Sequence, residues 1–187
     1  MDVETAGGIY LRYIKTDEEK DLESLLRICR DGLFLFLLGY VKNEEDAEEL
    51  LMDTFARLAV DKPRFSQKGG GSFRSWLYAI ARNNALMHIR RRKMEAAELS
   101  EDLASDDETP ESALLKDERD RKLYSAMERL TPEYRRALVL LYFEGLSHDE
   151  IALAMGLDKK QIYNLLERGK QSLKKILEGM GIDDVCC

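Results

Sequence analysis

Apolar residues recur along this chain at helical spacing, in segments separated by turn residues, and that pattern predicts an all-α fold. The first clear segment begins near Asp17. There Asp17, Glu18 and Glu19 suit the positive end of a helix, and Leu22, Leu25, Leu26, Cys29, Leu33, Phe36 and Leu37 form one stripe, with Gly39 and Lys42-Asn43 as its exit. Asn43 is placed to cap a second helix. Its inward positions are Ala47, Leu50, Leu51, Thr54, Phe55 and Leu58, and Glu44, Glu45, Asp46, Glu48, Glu49 and Asp53 are expected to face out. Pro63 and the run from Phe65 to Gly71 interrupt the pattern as a glycine-rich loop. Ser72 then caps a third helix reaching Lys93, which packs through Trp76, Leu77, Ile80, Ala81 and Ile89. Upstream of Asp17 the periodicity decides nothing, although Ile9, Tyr10, Leu11, Tyr13 and Ile14 can pack on the first unit.

The second half has sharper punctuation. Residues from Glu111 can lead into a helix through Leu123, Met127 and Leu130, after which Thr131-Pro132 starts another, with Ala137, Leu138, Leu140, Leu141 and Tyr142 as its buried face. Gly145 stops it. Ser147 to Glu150 forms a capping box opening a short helix that ends at Gly156, and Asp158 to Gln161 repeats the device for a last helix to about Gly179. Ala152, Gly156 and Ile162 sit where a helix-turn-helix needs a small contact, a left-handed turn and a wedge between the two helices. The second of these helices would present Lys159, Lys160, Gln161, Tyr163 and Asn164 to a major groove, with Arg168 and Lys170 near the backbone.

Charge changes the picture because it is segregated. The whole chain carries a formal −7, yet Arg57 to Lys93 holds ten Lys/Arg against the single acid Asp61, and Lys159 to Lys175 holds six against one. Between them, Glu95 to Asp120 has eleven acids against Lys116 and Arg119, which is linker composition. Two cationic helical units on an acidic tether point to nucleic acid. Phe65, Phe73, Trp76 and Tyr78 beside Asn83 and Asn84 have the mixture that stacks single-stranded bases, while Trp76 also suits a core.

Catalysis finds no support: the two histidines lie sixty positions apart, and Gly69 to Gly71 lacks the Lys-Ser/Thr of a phosphate loop. Three thiols, Cys29, Cys186 and Cys187, show neither zinc spacing nor a CaaX ending, so no metal or other cofactor is expected. No apolar run approaches the roughly 20 residues of a membrane span, and no leader peptide is evident, so a cytoplasmic protein without membrane insertion is expected.

Three motifs carry a resemblance. The stretches Asp46 to Phe55, Ser72 to Ala85 with its Arg90 to Lys93 tail, and Leu130 to Leu157 resemble, in order and spacing, the second- and fourth-domain motifs of bacterial RNA polymerase sigma factors of the extracytoplasmic-function type, within the sigma-70 family. The resemblance implies domain 2 at 1–94, an acidic linker at 95–118, domain 4 at 119–180 and a tail at 181–187. It implies a factor that binds core polymerase and directs promoter-specific initiation in response to stress or another signal. A stand-alone helix-turn-helix regulator is the alternative. By this similarity Asp46, Glu48, Glu49 and Asp53 meet the clamp helices of the β′ subunit, and the β flap is a further contact. Lys68, Ser72, Phe73, Arg74, Asn83, Asn84, His88, Arg90 and Arg91 meet the minus-ten element, and the helix-turn-helix residues named above meet the minus-thirty-five element. An anti-sigma factor is implied as a regulator. Met52, Met87, Leu165 and Gly169 stand where the family commonly has Gln, Asp, Arg and Ala.

Overall fold

The computed structural model of the chain describes residues 5–66, 71–98 and 125–181, and every regular element among them is helical. Four helices make the first unit: α1 (Ala6–Thr16), α2 (Glu19–Val41), α3 (Glu44–Val60) and α4 (Phe73–Glu98). Helix α5 (Pro132–Leu138) runs on through a π-helical turn (Val139–Phe143), and α6 (His148–Met155) and α7 (Lys159–Gly179) complete the second.

The segment whose periodicity decided nothing is a full helix. The Thr5 hydroxyl accepts a hydrogen bond from Gly8 N at 3.2 Å, and Asp17, left-handed at φ 57°, turns the chain out of α1. Arg12 then grips the buried Asp21 of α2 at 2.6 Å, fixing α1 across the start of its neighbour. Helix α2 does not end at Gly39, which is buried inside it, but at Lys42, with φ 58°. Asn43 Oδ1 takes the Asp46 amide at 2.9 Å and starts α3 as its sequence requires. The interior of this unit is built from Leu25, Leu33, Leu37, Leu51, Leu58 and Leu77, none of them accessible to solvent.

In the second unit, Leu138, Leu140, Ile151, Ile162 and Leu166 form the core under two capping boxes. Thr131 departs from expectation: it stands at the N-cap of α5 but its hydroxyl makes no capping hydrogen bond, so Pro132 alone pre-sets the first turn. Tyr142 departs too. The wider π turn shifts the side-chain register by part of a turn, and Tyr142 and Phe143 both emerge half-exposed, correcting the expectation that Tyr142 is buried.

These caps separate two outcomes. Ser147→Ala loses a cap whose Oγ accepts from Glu150 N at 3.4 Å while Glu150 answers at Ser147 N at 2.9 Å, and urea unfolding should show a cost of about 1 kcal/mol. Thr131→Ala removes no such bond and should stay within about 0.5 kcal/mol.

Candidate nucleic-acid interface

Helix α7 owes its angle to a small number of residues. Gly156, at φ 63°, takes the left-handed conformation that ends α6, and Ile162 is wholly buried between the two helices. Asp158 Oδ1 accepts from Gln161 N at 2.8 Å, and Gln161 Oε1 accepts from Asp158 N at 2.9 Å. The Gln161 side chain is thus engaged in starting the helix before it meets anything else. Lys159, Lys160, Tyr163, Asn164 and Arg168 are exposed on one side, and Lys170 is half-buried. Lys159 is held by Asp149 at 2.7 Å, and His148 stands edge-on to Tyr163 with ring centres 6.2 Å apart. Gly169 lies against Tyr134 and Leu138, where even a methyl group would touch both.

Helix α4 sorts the residues expected on the minus-ten side into two sets. Arg90 and Arg91 are exposed; Arg91 has only the exposed Glu95 at 3.7 Å, and Arg90 makes no ion pair among the described residues. Asn83 is exposed as well and accepts from Arg82 at 3.0 Å. Ser72 and Arg74 are half-buried at the start of the helix, Arg74 ion-paired with Glu144. Phe73, Asn84 and His88 are buried in the free chain. Asn84 donates to Thr54 Oγ1 and accepts from Arg57, both at 3.2 Å, and His88 Nε2 faces Asp46 at 3.7 Å. Lys68 lies outside the described residues.

Of the two readings open for the aromatic residues, stacking platform and core, the structure shows core packing. Phe73 and Trp76 pack on Tyr10 at ring distances of 5.0 and 5.5 Å, and Phe65 closes the cluster at 5.4 Å from Phe73. Tyr10 itself is fully buried and donates its hydroxyl to the Pro63 carbonyl at 2.7 Å; burial pushes its phenol up to about 12, with Tyr13 adding to the effect. Tyr78 lies apart from this group, edge-on to Phe36 at 5.0 Å. What α4 shows to solvent is aliphatic and cationic: Leu86, Met87 and Met94 beside Arg90, Arg91 and Lys93.

The acidic face of α3 is smaller than its sequence suggests. Glu49 and Asp53 are exposed, and Glu48, half-buried, pairs with Arg30 at 3.0 Å. Asp46 is only 7% exposed and binds Arg92 at 2.6 Å, which corrects the expectation that it faces out. One signal was available: Asp46 lies four residues before Leu50 and eight before Thr54, on the buried stripe of α3. Among the described residues no group of three or more His, Cys, Asp or Glu could hold a metal ion, and no helix is long and apolar enough to cross a membrane.

Comparison with known proteins matches both units. Residues 25–95 fit the family model of sigma-70 region 2, and residues 120–173 that of sigma-70 region 4. The RNA polymerase sigma factor CarQ of Myxococcus xanthus is 35% identical over 146 residues, covering 76% of this chain and 80% of that protein. The extracytoplasmic-function sigma factor SigE of Mycolicibacterium smegmatis is 32% identical over 161 residues, or 83% of this chain; the chain spans 61% of SigE's length. The fold is similar to that of the sigma factor RpoE in its complex with the anti-sigma factor NepR from Bartonella quintana, with a TM-score of 0.66 at 21% identity over 85% of this chain and 98% of that one.

The sorting of α4 is open to measurement. Replacing Arg90 and Arg91 together by Ala should flatten the dependence of log affinity for duplex DNA on log salt by about 1.8, since each phosphate contact contributes about 0.9. Asn84→Ala should leave that slope alone and lower unfolding stability by about 1–3 kcal/mol, because Thr54 and Arg57 lose a buried partner.

Proposed function

The chain belongs to the extracytoplasmic-function family of RNA polymerase sigma factors, and from that premise we propose how its parts divide the work of starting transcription at chosen promoters. Residues 1–94 bind core polymerase and read and melt the minus-ten element. Residues 119–180 read the minus-thirty-five element through α7. Residues 95–118 are the acidic tether, and 181–187 a tail.

The observation that best supports this division is the sequence of three surfaces along one chain. Glu48, Glu49 and Asp53 leave carboxylates at the surface of α3, Arg90 and Arg91 leave cations at the surface of α4, and Lys160, Tyr163, Asn164 and Arg168 leave a reading face on α7. A DNA-binding protein gains nothing at its DNA face from exposed acids, which repel phosphate. Those acids suit a basic protein partner, and we assign them to the β′ clamp helices, with the β flap meeting the second unit. In this scheme Asp46 is a positioning residue: it binds Arg92, and so fixes the start of α3 against the far end of α4. A stand-alone helix-turn-helix regulator would leave the sigma-70 match over residues 25–95 without a task.

Bond making belongs to the polymerase, and this chain contributes position and strand separation. Melting a base out of the duplex costs a few kcal/mol, which contacts from Ser72, Arg74, Asn83, Arg90 and Arg91 help to offset. The same reading places the protein in the cytoplasm, where promoters are, and gives it an anti-sigma factor as partner, as RpoE has NepR in that complex.

Charge reversal of Glu48, Glu49 and Asp53 to Lys tests the assignment. Affinity for core polymerase should fall by about tenfold or more while helicity and melting temperature stay close to those of the unchanged chain. Unaltered affinity would count against the clamp contact.

A further inference from the structure

The two units meet through carboxylates of the second placed on donors of the first. Glu144, just beyond the π turn, pairs with Arg74 of α4, and its side chain is only 5% exposed. It lies against Gly32 of α2, where any Cβ would collide with the carboxylate, and beside the buried Tyr78 hydroxyl. Cys29, one turn before Gly32, feels the same enclosure: burial pushes its thiol up to about 11, against the pull of Arg74. Six residues beyond Glu144, Glu150 accepts a hydrogen bond from the Ser72 amide at 3.3 Å while closing its own capping box. Burial alone would raise the Glu150 carboxyl, but the bonds from Ser72 and Ser147 outweigh it and hold the group below the usual carboxylate range.

Apolar and cationic contacts seal the rest of the seam. Leu153 of α6 sits at Gly71, and Arg82 of α4 lies over the Gly156 turn so closely that a Cβ there would strike its guanidinium. Arg136 of α5 donates to the Gly39 carbonyl and stacks on the Tyr40 ring at 3.9 Å. The groups covered in the first unit, Ser72 and Arg74, are ones the proposed function assigns to the minus-ten strand. Those of the second unit that cover them are carboxylates. The reading face of α7, by contrast, stays open.

A guanidinium or an amide that holds a carboxylate oxygen offers the same donors to a phosphate oxygen. Resting on the sigma-factor reading, we propose that Glu144 and Glu150 form an internal latch: they occupy the anion-binding edge at Ser72 and Arg74, so that closure of the two units and capture of the promoter strand exclude one another. Breaking the Glu144 pair leaves the half-buried Arg74 without its counter-charge in the closed form, and this favours opening. Closure lowers apparent affinity for the strand by the fraction of chains that are open.

The test uses the full chain without polymerase, a labelled mixed-sequence single-stranded oligodeoxynucleotide, and X-ray scattering in solution. Glu144→Ala should enlarge the radius of gyration, tighten oligonucleotide binding by about tenfold, and steepen its salt dependence by about 0.7 as Arg74 becomes available to a phosphate. Glu144→Gln reaches the same end by removing the charge at nearly constant shape, and so covers the case in which the first variant folds poorly. If both variants keep the parent's dimensions, affinity and slope, the latch is wrong; it is equally wrong if the chain expands and the oligonucleotide binds no more tightly. Failure of the parent chain to bind core polymerase would instead defeat the sigma-factor reading, and the scattering and oligonucleotide arms do not depend on that outcome.

Discussion

A cation can meet DNA only if the protein has not already bound it to a buried carboxylate, and that constraint organises this molecule. Helix α4 carries a run of cations that look equivalent in sequence, yet Arg92 is bound to Asp46 and Arg74 to Glu144, whereas Arg90 and Arg91 point to solvent. The first pair is structural: it ties the end of α4 to the start of α3. The second spans the two units. Exposed pairs such as Arg91 with Glu95 contribute little and exchange readily for phosphate.

The same economy governs the close approaches. Gly32 and Gly156 each stand where their surroundings leave no room for a Cβ, the first because the Glu144 carboxylate lies on it and the second because Arg82 covers the helix-turn-helix turn. Gly156 also needs its positive φ to let α6 turn into α7. One glycine thus sets the angle of the reading helix and accepts the first unit against that turn. The contact between units and the geometry of DNA reading are therefore built from overlapping residues.

Much of this could be read along the chain. Caps at Asn43, Ser147 and Asp158, the stop at Gly156 and the stripes of α2, α3 and α7 are local signals, set within a turn or two of the residue concerned. What could not be read depends on distant partners. Phe73 and Trp76 fit a stacking platform or a core equally until Tyr10, more than sixty positions earlier, packs on both of them. The position of Asp46 on the buried stripe of α3 was legible, but its partner was not: Arg92 reaches it across 46 positions. The burial of Asn84 and His88 comes from Thr54, Arg57 and Asp46, which the fold brings beneath them from the preceding helix. The π turn that turns Tyr142 and Phe143 outward follows no cue at those two positions.

The account stands on this chain conferring promoter choice on core polymerase through the cations and reading face that the fold leaves exposed. Run-off transcription of fragmented genomic DNA from its own bacterium, with core enzyme and with or without the purified chain, tests this most directly. Discrete start sites should appear only when the chain is present, and should vanish when Arg90 and Arg91 are both replaced by Ala in a chain that still binds core enzyme. Start sites independent of the chain, or undiminished in that variant, would contradict it.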